Sequence, residues 1–160
     1  MNDKGFRWDI KSFDALTARE VYDILSLRDL VFVVEQHCIY LDADGRDQAA
    51  FHLMGLQGDR LVAYCRLFAP GIVYQEASIG RVVTHPSVRR TGLGKELMIQ
   101  AICQIRNLFN TDRIRISGQL YLKTFYSNLG FKPFGDVYLE DDIEHIAMVR
   151  IEERPSSDQS

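Results

Sequence analysis

The sequence predicts an α/β (α+β) fold, a single domain in which a mixed, mostly antiparallel central sheet is flanked by helices. Three observations carry that expectation. Apolar runs of strand length recur along the chain, separated by turn signals such as Gln57-Gly58-Asp59-Arg60 and Pro70-Gly71. Two segments, after Thr17 and after Gly92, carry apolar residues at helical spacing instead. One strand-like run, Ala77 to Thr84, leads through a break at His85-Pro86-Ser87 into a glycine pair and the second helix, so a loop with binding potential lies beside a central strand. At 160 residues, 46% hydrophobic and 11% aromatic, the chain supports one core, expected over residues 1–151. The polar stretch 152–160 has nothing apolar to anchor it and is expected to be disordered.

Taken in order, Phe6, Trp8 and Ile10 alternate with Arg7, Asp9 and Lys11, the period-two pattern of a half-buried strand. Thr17 with Glu20 three positions later is a capping box, and Leu16 with Val21 a hydrophobic staple, so a helix starts there. Its end is blurred, because Val31 to Val34 is strongly β-branched. Cys38 to Ala49 is polar and acidic and reads as a loop. Phe51 to Leu56 and Leu61 to Phe68 form an antiparallel hairpin, and Ala77 to Thr84 adds the next strand. Leu93 to Phe109 is an amphipathic helix with Leu97, Met98, Ala101, Ile102 and Ile105 inward. Arg113 to Ser117 is a strand, and Leu122, Phe125, Tyr126 and Leu129 mark a short helix ended by Gly130. Phe131 to Leu139 and His145 to Ile151 close the sheet around an acidic turn.

Composition narrows the function classes. A net charge of −3 and a pI near 5.8 argue against general nucleic-acid binding. No apolar run reaches membrane-spanning length, and Met1 to Gly5 lacks the apolar region of a signal peptide, which points to a soluble, cytoplasmic protein with no membrane partner. Cys38, Cys65 and Cys103 are distant and odd in number, so neither a disulfide framework nor a metal site is expected, and Cys65 and Cys103 read as core packing. Asp42-x-Asp44-Gly45-x-Asp47 has its glycine too early for a calcium loop and no terminal glutamate. No metal is therefore expected.

The chemistry concentrates at Arg89-Arg90-Thr91-Gly92-Leu93-Gly94-Lys95. A helix start with glycines presents unpaired N–H groups and the positive end of the helix dipole, and three cationic side chains stand at the same point. That combination suits a pyrophosphate. It is not a P-loop, because Gly94-Lys95 is followed by Glu96 and the first required glycine is Arg89. It is not a dinucleotide fingerprint, because Leu97 stands where the third glycine belongs.

Arg-x-x-Gly-x-Gly after a Val/Thr-rich strand resembles the acyl-CoA loop of the GNAT acetyltransferase superfamily. Phe125-Tyr126-Ser127-Asn128-Leu129-Gly130-Phe131 resembles that family's Phe-Tyr-x-x-x-Gly-Phe segment and follows the loop after one helix and one strand, in the family's order. A closer resemblance, to the ElaA-like branch, rests on Leu27-Arg28, Val31 to Gln36, Tyr40-x-Asp42-x-Asp44-Gly45-x-Asp47, His52, Ile79 to Val82 and Tyr138 to Ile146. Ile39 and Leu120-Tyr121 depart from that branch's pattern.

The resemblance implies an N-acetyltransferase whose partners are acetyl-CoA and an amine acceptor. Arg89 to Lys95, including Arg90, Thr91, Gly92, Leu93 and Gly94, would hold the pyrophosphate. Val82, Val83 and Thr84 would run beside the pantetheine arm, with Gln119 contacting it. Tyr126 matches the family's general acid, although its place on an apolar helix stripe also fits a core tyrosine. Glu35, His52 and His145 are the general-base candidates, each with a structural alternative. Arg28 and Arg81 are expected to pair with the acidic loop, or with substrate. Asp42, Asp44, Asp47 and the turn at Asp141 suggest an acidic acceptor mouth beside the simpler reading of a solvated surface. An acyl-homoserine-lactone-synthase-like acyltransferase and a non-catalytic CoA-binding module are the alternatives. The acceptor's identity and the oligomeric state, a homodimer included, stay open.

Overall fold

The computed structural model describes residues 5–151; residues 1–4 and the expected disordered tail, 152–160, lie outside them. Among the described residues seven strands form one sheet: β1 (Phe6–Ser12), β2 (Phe51–Gln57), β3 (Arg60–Phe68), β4 (Ala77–Thr84), β5 (Ile114–Gln119), β6 (Phe131–Glu140) and β7 (Ile143–Arg150). Their spatial order is β1-β2-β3-β4-β5-β7-β6, and every neighbouring pair is antiparallel except β4 with β5. Helix α1 (Ala18–Arg28) packs on one face of β3 and β4, and α2 (Leu93–Phe109) on the other. Helix α3 (Lys123–Ser127) lies against β5 and β6.

Alternation along each strand builds the two cores. Ala63, Cys65 and Leu67 of β3 point toward Leu97, Met98, Ala101 and Ile105 of α2, while Tyr64 joins Ile24, Leu27 and Val31 on the α1 face. Each fully buried aliphatic side chain contributes about 1.5–3 kcal/mol.

The capping box is present in full. The Glu20 amide donates to Thr17 Oγ1 at 3.1 Å, and the Thr17 amide to Glu20 Oε1 at 2.8 Å. The helix does not stop at Arg28. It continues as a wider π-helical turn over Asp29–Glu35, where the Gln36 amide reaches back five residues to Val31 and that of Cys38 to Val33. The β-branched run that blurs the helix end in the sequence is accommodated by this wider coil, a feature frequent at functional sites.

Other differences are local. The β6–β7 turn is only Asp141-Asp142, both left-handed at φ 50° and 62°, and Glu140 pairs directly with Ile143, the geometry of a tight two-residue hairpin. Cys103 is exposed on the outer face of α2, so the core-packing expectation holds for buried Cys65 and fails for Cys103. Its position falls between the buried stripe residues Ile102 and Ile105 and faces outward.

Two features of the central strands create an opening. In β4, Arg81 and Val82 stand against the single residue Cys65, and Arg81 adopts φ 51°, a bulge that increases the local twist. Strand β4 pairs with β5 only at Ala77–Ile114 and Ser78–Arg115. Beyond those pairs β5 continues alongside β7 as far as Gln119–His145, so the two central strands part. A wedge opens between them, facing the start of α2.

Candidate active site

The wedge is a cavity of about 430 Å³, within the ordinary range for small-molecule sites. One wall is β4 from Ile79 to Thr84; the other is Ile116, Ser117 and Gln119 of β5 with Tyr126 of α3. The π-helical turn contributes Val31, Phe32 and Glu35, and the β6–β7 hairpin contributes Glu140, Asp141 and His145. Two contacts bridge the opening: Gln119 Nε2 donates to Gln36 Oε1 at 3.4 Å, and Cys38 Sγ to the Asp141 carbonyl at 3.2 Å.

At one end stands the glycine corner. Gly92 is the N-cap of α2 with φ 83°, and no side chain caps the exposed N–H groups. Arg90, also left-handed at φ 63°, and Lys95 are exposed. Thr91 Oγ1 donates to the Val88 carbonyl at 2.5 Å, so this hydroxyl fixes the loop. Leu93 turns its side chain into the core and leaves only its backbone to the corner. Gly94 lines the cavity, and a Cβ there would lie 4.0 Å from Thr84 and Phe125. Of the candidate cofactor residues, Val82, Val83, Thr84, Arg89, Gly94 and Gln119 line the cavity; Arg90, Thr91, Gly92, Leu93 and Lys95 form the corner beside it.

The candidate proton carriers divide clearly. Tyr126 is 6% exposed, meets Phe125 and Phe131 edge-on, and lies so close to Gly118 that a Cβ there would stand 3.1 Å from its ring. It is both a packed tyrosine and part of the cavity wall, and burial pushes its phenol pKa up. His145, also 6% exposed, donates from Nδ1 to the Ile143 carbonyl at 2.7 Å and turns Nε2 toward Glu140 Oε2 at 3.3 Å. Glu35 pairs with Arg89 at 2.6 Å across the cavity entrance.

His52 is removed from the base candidates by its surroundings. It is 1% exposed; Nε2 meets the Asp47 carbonyl at 2.8 Å and must donate, so Nδ1 accepts from the Tyr64 hydroxyl at 2.7 Å. Burial lowers its pKa and keeps it neutral.

The acidic loop is largely exposed, as a solvated loop should be, but its three carboxylates turn back onto arginines of the fold rather than forming an open acceptor mouth. Asp42, 2% exposed, meets Arg28 Nε at 2.6 Å, Arg81 Nε at 2.8 Å and the Tyr40 hydroxyl at 2.5 Å. Asp47 lies 2.7 Å from Arg28 and 2.8 Å from Arg66, and Asp44 2.5 Å from Arg66. Burial raises the carboxylate pKa values of Asp44 and Asp47, but hydrogen bonds and charge from Arg66 and Arg28 outweigh it and hold both below the usual range. Three cations cancel three anions. Arg66 is the member that sequence patterning misses, although a charge inside the apolar run Leu61 to Phe68 is a legible signal.

Comparison with known proteins agrees with this geometry. Residues 31–151 match the family model described as an acetyltransferase (GNAT) domain. A UPF0039 protein from Synechocystis is 42% identical over 144 residues, covering 89% of this chain and 93% of that protein. Protein ElaA of Escherichia coli is 34% identical over 145 residues, 89% of this chain and 95% of its own, and its crystal structure superposes with a TM-score of 0.85. The crystal structure of an acyl-CoA N-acyltransferase from Pseudomonas aeruginosa, 40% identical, covers 91% of this chain and 99% of its own with a TM-score of 0.87. The chain belongs to the GNAT acetyltransferase family, near ElaA and the UPF0039 proteins, and is an acyltransferase.

Proposed function

We propose that the protein is an acetyl-CoA-dependent N-acetyltransferase that moves the acetyl group directly to a primary amine in a ternary complex. The observation that carries this reading is the parting of β4 and β5 over the uncapped start of α2, with Tyr126 in the wall between them. The fit to acetyl-CoA rests on the corner itself. Its open N–H groups and the exposed Arg90 and Lys95 match a pyrophosphate, while the edge of β4 offers backbone groups to an amide-rich arm. Acetyl-CoA supplies an activated thioester.

The remaining work falls to the chain. The bulged peptide at Arg81–Val82, outside the regular ladder, supplies a backbone N–H for a developing oxyanion. Tyr126, kept protonated by burial, holds the proton that the departing thiolate needs. His145 Nε2, 3.3 Å from Glu140 Oε2, takes the proton from the amine. We favour it over Glu35, whose carboxylate is engaged by Arg89.

Direct transfer is supported by the state of the cysteines near the cavity. The Cys38 thiol is a donor to Asp141, and burial followed by the charges of Asp141 and Asp142 pushes its pKa up; Cys65 is fully buried. Neither has the environment of an acyl-accepting thiolate.

The test is a panel of amines with acetyl-CoA, read by thiol release and product mass, in wild type and Tyr126→Phe. Acetylated amine in wild type and a roughly 10²–10⁴-fold slower Tyr126→Phe enzyme are expected. Thiol release without acetylated amine would overturn the transfer, and full activity of Tyr126→Phe across the pH range would remove the assigned acid.

A further inference from the structure

Arg28, Arg66, Arg81 and Arg89 each have a carboxylate within ion-pair distance, but Arg115 has none among the described residues. Its guanidinium instead lies over two rings, 4.3 Å from the centroid of Tyr74 and 4.7 Å from that of Phe134. Its Nε is buried without a hydrogen-bond partner. A guanidinium packed against two aromatic rings loses rotamer freedom, and the directions left for binding are its remaining N–H directions. That is the geometry of a preorganised fork for a planar anion.

The position of Arg115 relates this fork to the cavity. Along β5, Ile114, Ile116 and Gly118 face α2 and α3, so Arg115, Ser117 and Gln119 share the opposite face. Ser117 and Gln119 line the cavity, and Arg115 is the next position on the same row, about 7 Å beyond Ser117 by strand geometry. Phe134 registers with Ala147, which registers with Ser117, and the Ser117 hydroxyl bonds the Tyr138 hydroxyl, which ties the row together. Strand β6 is exposed along its length after Phe131, so this part of the face is open to solvent. At the cavity end of the row stand the carboxylates of Glu140 and Asp141. An anionic pair at one end and an unpaired, ring-packed cation at the other is a dipolar surface.

We propose that Arg115 binds a carboxylate of the acceptor, so that the preferred acceptor is a zwitterion: a primary amine delivered to the Glu140–His145 end and a carboxylate on the Arg115 fork, whose backbone lies about 13 Å along the strand from the Gln119–His145 pair and whose side chain leans back toward Phe134, two positions nearer, to leave roughly 7–10 Å between the two charges. This rests on the acetyl-transfer reading above and adds the class of amine. Because the contact is remote from the reacting atoms, it acts on binding equally in ground and transition states and shows in KM rather than kcat.

The experiment compares matched acceptors, 5-aminopentanoate and 6-aminohexanoate against their primary amides, with wild type, Arg115→Met and Arg115→Lys. Methionine keeps an apolar stem against the rings, and lysine keeps the charge without the fork. Wild type is expected to prefer the acids at least tenfold in kcat/KM, through KM. Arg115→Met should abolish that preference without slowing the amides, and Arg115→Lys should retain only part of it. Equal use of acid and amide by wild type, or an equal loss on both in Arg115→Met, overturns the proposal. If no amine releases thiol, the acetyl-transfer reading fails. The proposal is then decided by binding to the CoA-saturated protein, where 6-aminohexanoate should still bind at least tenfold more tightly than its amide in wild type only; equal binding overturns it.

Discussion

Two clusters of charge lie near the same cavity and are built in opposite ways. In the loop after α1, Arg28, Arg66 and Arg81 meet Asp42, Asp44 and Asp47, every charge has a partner, and Arg28 is fully buried. At the start of α2, Arg90 and Lys95 are exposed and the N-cap has no side chain to satisfy the helix N–H groups. The first cluster is a closed account of charge, and it fixes Tyr40 and the bulged strand β4 as walls. The second leaves positive potential unmatched and is therefore available to a ligand. Motif density alone does not separate them, since the acidic loop is the more conspicuous stretch of the sequence; partner geometry does.

The contrast can be broken most strongly from the closed side. Asp42→Ala removes one of the two carboxylates that meet buried Arg28, and with it the partner of Arg81 Nε, and should lower unfolding free energy by about 3–5 kcal/mol in urea titration. Lys95→Ala at the corner should stay within about 0.5 kcal/mol. A loss below about 1 kcal/mol for Asp42→Ala would mean that the network is not scaffold.

Acid should sharpen the same distinction with a smaller effect. The folded-state pKa values of Asp44 and Asp47 are depressed, so their contribution is complete above the unfolded value near 4 and is lost progressively as pH falls below it toward the depressed folded values. His52 is also depressed, so protonation favours the unfolded chain and stability already declines below about pH 6.5. Stability should therefore fall by on the order of 2 kcal/mol between pH 7 and pH 3, in two steps, with Asp44→Asn flattening the lower one. A flat profile would contradict an ionised, arginine-paired network.

Much of the fold was legible because its signals are local. Thr17 and Glu20 announce α1, the glycine pair announces α2, and Gln57 to Arg60 announces the β2–β3 hairpin, each through backbone chemistry within a few residues. The positions of the glycine corner at the start of α2 and of Tyr126 on α3 were legible for the same reason. What escaped depends on distant partners. Nothing near Glu35 in sequence says that it meets Arg89, nothing near His52 predicts that Tyr64 and Asp47 occupy both its nitrogens, and Arg115 gains its significance only from Tyr74 and Phe134. The π-helical turn was hidden because β-branched residues favour strand locally while packing on the sheet holds them helical.

The central claim is that the unmatched corner grips the pyrophosphate of acetyl-CoA at the mouth of the cavity. Gly94 tests it better than Gly92, whose φ of 83° would strain any replacement, because a Cβ at Gly94 meets only ordinary van der Waals contacts, 4.0 Å from Phe125 and Thr84, at a position that lines the cavity. Calorimetric titration of acetyl-CoA into wild type and Gly94→Val, with thermal unfolding of both, is the direct measurement. One-to-one binding by wild type and at least tenfold weaker binding by Gly94→Val, about 1.4 kcal/mol or more, is the expected result, with melting temperatures alike. Equal affinity in the two proteins would contradict the account.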